Sequence, residues 1–213
     1  MADLIYLSNV RLSFPQIVEP KAFNNEANGV KKYSADFLMD QTDPSFAQFM
    51  QLYANLATEK WKENASAIMQ MIQADRKLRC YGSGNERVNK KTFKPYDGYE
   101  NKVFVTAITE NKPQMIQADG NGVDPTNTMA YMALARKLYG GCYVNAAVKP
   151  WVQDNNFGRG IRCDLIAIQF QADGDSFGEG NVDATPMFGA VAGATPAAPS
   201  LANVFPLFLG GNQ

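Results

Sequence analysis

The stretch from Tyr139 to Phe170 holds the residues whose types and spacing could do chemistry. From Cys142 one alternating set is Cys142, Val144, Ala146, Val148 and Val152, an ordinary core face. The other is Tyr143, Asn145, Ala147, Lys149 and Trp151. Such alternation predicts a half-buried strand, here with two large aromatics and a lysine facing outward. Exposed rings offer surfaces on which bases stack, and a lysine between them offers a cation to phosphate. The stretch 76–102 repeats both ingredients. Arg76, Lys77, Arg79, Arg87, Lys90, Lys91, Lys94 and Lys102 stand against Glu86, Asp97 and Glu100, interleaved with Tyr81, Phe93, Tyr96 and Tyr99. Arg159 and Arg162 sit in a Gly-flanked hairpin, where backbone can approach a phosphate closely. Each has a plainer reading: a solvated charged loop, a second core face under a helix, or charge for solubility. Pro150 beside Trp151 argues for an edge or a bulge, and so for exposure.

Other chemistries are poorly served. The chain has no histidine, which removes the commonest general base and metal ligand. Cys80, Cys142 and Cys163 are far apart and form no CxxC pair, which predicts buried free thiols in a reducing compartment. There is no P-loop, no GxSxG and no dinucleotide fingerprint. The acids are scattered, with no pair at a spacing that forces them together on a metal. No enzyme, cofactor or metal is expected. The N-terminus lacks the pattern of a signal peptide, and no apolar run approaches the ~20 residues of a membrane span. The expectation is a cytoplasmic protein with no membrane partner. Net charge is −1, yet every Lys and Arg lies at or before Arg162. The segment 163–213 has five acids and no base. A basic body with an acidic end suits a polyanion ligand and a tail that regulates or docks.

The elements that must position these residues are legible in outline. At 213 residues the chain suits one domain with a tail. A strand is predicted over Leu4–Phe14, ended by Pro15 and Pro20. A second covers Val30–Met39, with Tyr33, Ala35, Phe37 and Met39 inward and Lys32, Ser34 and Asp36 outward, and 24–29 is the turn between them. Asp43 and Pro44 open a helix whose stripe Phe46, Phe49, Met50, Tyr53, Leu56 and Ala57 continues through Trp61 to Ile72, as one long helix or two short ones. Gly82–Asn85 reads as a flexible connection, Val103–Thr109 as a strand, 111–127 as a loop and Thr128–Leu138 as a short helix. Cys142–Val152 and Gly160–Phe170 are the last strands. The fold class is mainly β with helical insertions (α+β): a decorated five-stranded OB-fold barrel, with a β-sandwich as the competing architecture. Residues 1–172 form the domain. Residues 173–213 are a flexible Gly/Ala/Pro-rich, mildly acidic tail, apolar again at Val204–Leu209.

The run Tyr139-Gly140-Gly141-Cys142-Tyr143-Val144-Asn145-Ala146, then Trp151, Gly158-Arg159-Gly160-Ile161, Leu165-Ile166-Ala167-Ile168-Gln169-Phe170 and Gly174 to Gly178, resembles a group of phage-encoded single-stranded DNA-binding proteins, formerly known only as a domain of unknown function. The strand Asn9–Phe14 is similar to the opening strand of the same group. The resemblance implies an OB-fold that coats unwound DNA during phage replication, recombination or repair, with no catalysis and no metal. It points to the strand of Tyr143 and Trp151 and to the hairpin Gly158-Arg159-Gly160. The thin acidity of the tail and its end at Gly210-Gly211-Asn212-Gln213 depart from the densely acidic tails of this class. On this reading Arg76, Lys77, Arg79, Arg87, Lys90, Lys91, Lys94, Lys149, Arg159 and Arg162 hold phosphates. Bases stack on members of the set Phe93, Tyr96, Tyr99, Tyr143 and Trp151. The partners are single-stranded DNA and, through the tail, replication or recombination proteins. The alternative is a phage structural or assembly adaptor that grips a protein partner with the tail. Monomer and homodimer both stay open.

Overall fold

Alternation along the first strand breaks at Asn9. The computed structural model describes residues 4–22, 29–156 and 158–178, and in it β1 runs over Ile5–Ala22. Ile5 and Leu7 are buried, and then Val10 and Leu12. Pairing with β6 (Tyr143–Asn155) shifts register between Leu7 and Val10, where Asn9 adopts a φ of 53°. An extra residue in one strand exchanges its two faces beyond that point, so Leu4 and Tyr6 are exposed. Pro15 and Pro20 do not end the strand. Each falls in a register irregularity against β2 (Lys31–Met39), one between Ser13 and Gln16, the other between Gln16 and Lys21. Proline is tolerated at such irregularities because no ladder N–H is needed there.

The first helix begins as its capping residues dictate. Asp43 Oδ1 accepts a hydrogen bond from the Ser45 amide at 2.8 Å, and Pro44 is the first residue of α1 (Pro44–Trp61). Phe46, Phe49, Tyr53, Ala57 and Trp61 form its buried stripe. The helical pattern then divides. Lys62 takes a φ of 50°, a single 3-10 turn covers Lys62–Asn64, and α2 (Ala65–Ala74) buries Ile68 and Ile72. Among the described residues no helix is long and apolar enough to cross a membrane.

The remaining elements are β3 (Tyr81–Ser83), β4 (Val103–Thr109), β5 (Gln114–Ile116), α3 (Thr128–Lys137) and β7 (Gly158–Ala172). One sheet joins all the strands in the order β3-β4-β2-β1-β6-β7-β5. Every pairing is antiparallel except that of β5 with β7. The protein is therefore mainly β with helices, as expected, but the sheet has seven strands and its ladder is open. The expected five long strands are all present within it. The two additions are three-residue edge strands: β3 in the stretch read as a flexible connection, β5 in the stretch read as loop. Short edges leave little unpaired backbone for another chain to join. The sheet curls, since β4 packs against β7 although three strands separate them along the ladder.

Gly82–Asn85 is not a flexible connection. A Cβ on Gly84 would lie 1.9 Å from the carbonyl oxygen of Tyr99, so the backbone passes where only glycine fits. Packed chain also continues past Ala172. The Tyr139 hydroxyl donates to the Gly174 carbonyl at 2.9 Å, and Arg11 donates to the Asp175 carbonyl at 2.6 Å. The amides of Phe177 and Gly178 donate to the Gly140 carbonyl and to Asp97 Oδ2. Asp173–Gly178, counted with the tail in the sequence, is thus tied to the body. The rest of that tail, with its apolar end Val204–Leu209, and most of the 24–29 turn lie outside the described residues.

Candidate nucleic-acid interface

A groove of about 900 Å³ opens over the outward faces of β2 and β4, floored by Ser34, Thr106 and Ile108. One wall comes from the end of β1 and the start of β2, with Lys21, Ala22, Val30 and Lys32. The other comes from the β6–β7 hairpin, with Trp151, Gln153 and Arg162, and from the segment Arg76–Tyr81. Among the described residues its lining includes the cations Lys21, Lys32, Arg76, Lys77, Arg79, Arg87 and Arg162 and no aspartate or glutamate. Phe14, Tyr81, Phe104 and Trp151 supply rings. A concave, low-dielectric surface of one charge sign concentrates its field on an incoming polyanion.

The cations are held in place by their neighbours. Asp36, expected to face solvent, is buried at 2% exposure. It accepts from Arg87, from the Tyr99 hydroxyl at 2.6 Å and from the Thr106 hydroxyl at 2.6 Å. A carboxylate this buried is stable only when paired and fully hydrogen-bonded, and the pairing fixes Arg87 over the Phe104 ring, 5.0 Å from its centroid. Arg76 lies 5.7 Å from the same ring. Burial, followed by the charge of Arg87, pulls Arg76 below the ordinary guanidinium value. Arg162 donates to Gln153 Oε1 at 2.9 Å and to the Lys77 carbonyl. Arg79 bonds Glu86 at 2.9 Å with only 9% of its side chain exposed. Among the described residues the Nε atoms of Arg79 and Arg87 are buried and have no hydrogen-bond partner. Such donors carry a desolvation cost that an added acceptor would remove.

Of the residues singled out in the sequence, the groove unites Arg76, Lys77, Arg79, Arg87, Trp151 and Arg162. Trp151 is 38% exposed, and its Nε1 donates to Asp164 Oδ1 at 2.8 Å, which fixes the indole edge. The others are elsewhere. Lys90, Lys91, Phe93 and Lys94 occupy a separate small hairpin, closed by the Val88–Pro95 bridge and by the Asn89 amide on the Lys94 carbonyl. Phe93 is 81% exposed there. Tyr96 meets Phe14 edge-on at 5.0 Å. Lys149 is exposed opposite Asp164 in the ladder, and Arg159 pairs with Asp154 at 3.2 Å. Two expectations are corrected. Tyr99 is completely buried and offers no face to a base. Tyr143 does lie on the outward face of β6, but Arg11 sits 4.9 Å from its ring centroid and Gly174 packs on its edge. Eight residues of strand also put it ~26 Å from Trp151, so the two rings do not form one platform.

Sequence reasoning missed Phe14, Lys21, Lys32 and Phe104. Phe14 looked like part of a regular alternation. Its φ of 45°, beside the irregularity after Ser13, leaves it half exposed. Lys21 and Lys32 stand directly opposite each other in the β1–β2 ladder. Like charges opposite one another destabilise a sheet, so the pair marks a place where an anion is welcome. That signal needed the register, which the irregular β1 concealed.

Comparison with known proteins agrees with this chemistry. The family described as Enterobacter phage Enc34, ssDNA-binding protein, matches residues 4–196. Putative protein p50 of Acyrthosiphon pisum secondary endosymbiont phage 1 is 31% identical over 186 residues, covering 86% of this chain and 91% of its own length. The single-stranded DNA-binding protein from bacteriophage Enc34, solved in complex with ssDNA, superposes with a TM-score of 0.62 at 23% identity, over 83% of this chain and 90% of that one. Its C-terminally truncated form gives 0.61 at 22% identity, over 82% and 88%. These two likenesses speak to the fold. The family match spans all of the described residues, and on it the protein belongs to the Enc34 family of phage single-stranded DNA-binding proteins.

Proposed function

We propose that the groove over β2 and β4 is where this protein holds single-stranded DNA, without strong sequence preference, during phage DNA replication and the recombination and repair that accompany it. The observation that carries the assignment is the lining itself: among the described residues, seven cations, no carboxylate and four aromatic side chains in one concavity. Single-strand binders combine a positive channel for phosphates with rings on which bases stack. The position supports the same reading. Count the long strands β1, β2, β4, β6 and β7 as one to five, and the order β4-β2-β1-β6-β7, with β4 packed on β7, follows the plan of an OB-fold. The groove then lies on strands two and three, between the one–two and four–five connections, where OB-folds take oligonucleotides.

In this scheme Lys21, Lys32, Arg76, Lys77, Arg87 and Arg162 hold phosphates, Arg79, paired with Glu86, shapes the wall beside them, and Trp151, with Phe14, stacks bases. Lys90, Lys91, Phe93 and Lys94 extend the path onto the neighbouring hairpin. Residues 179–213 form the tail through which replication or recombination proteins dock, and the protein acts in the host cytoplasm. The test is fluorescence anisotropy with a labelled oligo-dT of ~30 nucleotides, longer than one OB-fold covers, against the matching duplex. Single-strand binding should weaken with salt, with log K falling by ~0.7 per phosphate neutralised. Binding that ignores salt, or that favours the duplex, would exclude the groove as the DNA site.

A further inference from the structure

A second cleft, of about 570 Å³, adjoins the basic groove, and Arg79 and Tyr81 line both. Its chemistry is different. Its two cations are already neutralised, Arg79 by Glu86 and Lys102 by Asp40 at 2.6 Å. What remains is a group of amides, Gln41, Gln73, Asn85 and Asn101, beside an apolar wall that includes Phe46 and Met50. Two of these amides are oriented by the protein. The Tyr81 hydroxyl donates to Gln73 Oε1 at 2.7 Å, and the Asn101 backbone amide donates to Asn85 Oδ1 at 3.0 Å. In each the oxygen accepts one bond and keeps a second lone pair, and among the described residues the NH₂ is left to donate. Arg79, nine-tenths buried, lines the same cleft, and its Nε has no partner among the described residues.

A phosphate would gain little where both cations are paired and a carboxylate is present. A base suits the cleft better, being neutral and planar with donors and acceptors along its edges. Amide side chains pair bidentately with adenine, through its amino group and an adjacent ring nitrogen, and in single strands those edges are free to be read. We propose that this cleft is a base-reading subsite. A base from the strand lying in the basic groove turns in past Tyr81, stacks against the apolar wall and is read by the amides, with adenine preferred. The subsite rests on the assignment of the groove and adds a modest base preference to a sequence-tolerant binder.

The test uses the full chain with labelled oligo-dT bound. Unlabelled oligo-dT of equal length competes against the same oligonucleotide carrying a central run of adenines. The adenine competitor should displace the label at least threefold better. The doubly substituted Gln41→Ala/Gln73→Met protein should lose that advantage while keeping its affinity for oligo-dT and its salt slope. Gln41→Ala alone should lose part of it, which covers the case in which the double variant does not fold. As a second readout, 2-aminopurine in the central run should be quenched on the wild type and less so on the variants. Equal competition with variant-independent emission would overturn the subsite while leaving the groove intact. Reversal of the quenching by free dAMP, with the oligonucleotide still bound, would assign the cleft to a free nucleotide instead. Failure of the wild type to bind oligo-dT at all would remove the groove assignment and the subsite with it.

Discussion

Trp151 offers a ring whose edge is tied and whose face is partly open. Its Nε1 bond to Asp164 takes up the polar end of the indole, so stacking a base costs no hydrogen bond. A base stacked on an aromatic residue is worth ~1–3 kcal/mol by alanine substitution, which corresponds to about 5- to 150-fold in affinity. Trp151→Ala should therefore weaken single-strand binding within that range, and Trp151→Phe should retain most of it. Equal affinities for wild type and Trp151→Ala would place the DNA away from this wall. Tryptophan emission provides an independent reading. Trp61 is buried and donates to Asp154 at 2.9 Å, so quenching on DNA binding should arise from Trp151 and vanish in the alanine variant. Tyr143 shows the limit of residue-scale inference. Its outward orientation was legible from alternation, but Arg11 and Gly174, which cover the ring, come from 132 positions earlier and 31 positions later in the chain.

At the scale of elements, the hairpin of β6 and β7 was readable because each strand keeps one buried face over most of its length, and such a strand announces itself by period two. β1 was readable only to Phe14, because its irregularities at Asn9 and beside Pro15 and Pro20 change its parity, and parity is what the eye follows. The three-residue β3 and β5 are too short to carry a period. The groove was half legible for the same reason. The segment 76–87 and the hairpin residues supplied Arg76, Lys77, Arg79, Arg87, Trp151 and Arg162, all conspicuous by type. The opposite wall depends on the register of β1 with β2. That wall carries its own prediction. Lys21 and Lys32 face one another across the ladder, and Lys32 is only weakly offset by an exposed pair with Glu110 at 3.2 Å. Substituting both by alanine should weaken single-strand binding and flatten the plot of log K against log salt by ~1.4, two phosphates at ~0.7 each. Repulsion between the two lysines is relieved by the same change, so the urea midpoint without DNA should stay level or rise. A salt slope identical to wild type would show that this wall does not touch the phosphates.

For the molecule as a whole, the charge asymmetry that matters runs across the surface rather than along the chain. Of the five acids placed after Arg162 by sequence, Asp164 is on β7 holding Trp151, and Asp173 and Asp175 lie in the packed segment that ends at Gly178. Only Glu179 and Asp183 lie beyond it. The fold also buries phenols, and this sets how it responds to alkali. Burial pushes the Tyr53 and Tyr99 hydroxyls well above the ordinary tyrosine value and raises that of Tyr81, and the charge of Asp36 pushes Tyr99 further. In the unfolded chain these groups ionise near pH ~10. Above that pH the unfolded state binds fewer protons than the native state, so stability falls as pH rises. Below it the contribution is fully present. Tyr53 and Tyr99 should each remove up to ~1.4 kcal/mol per pH unit above that point. Urea midpoints should hold between pH 8 and about 9.5 and drop steeply between about 10 and 11. Tyr53 separates this effect from lost hydrogen bonding, because its hydroxyl is buried with no partner among the described residues. Tyr53→Phe removes an ionisable group and an unsatisfied one in a single step. It should leave the protein no less stable at pH 8 and shallower in its alkaline decline. A variant that is less stable at pH 8, with the same decline as wild type, would mean that the Tyr53 hydroxyl is satisfied in solution by a buried water and that its ionisation does not drive the transition.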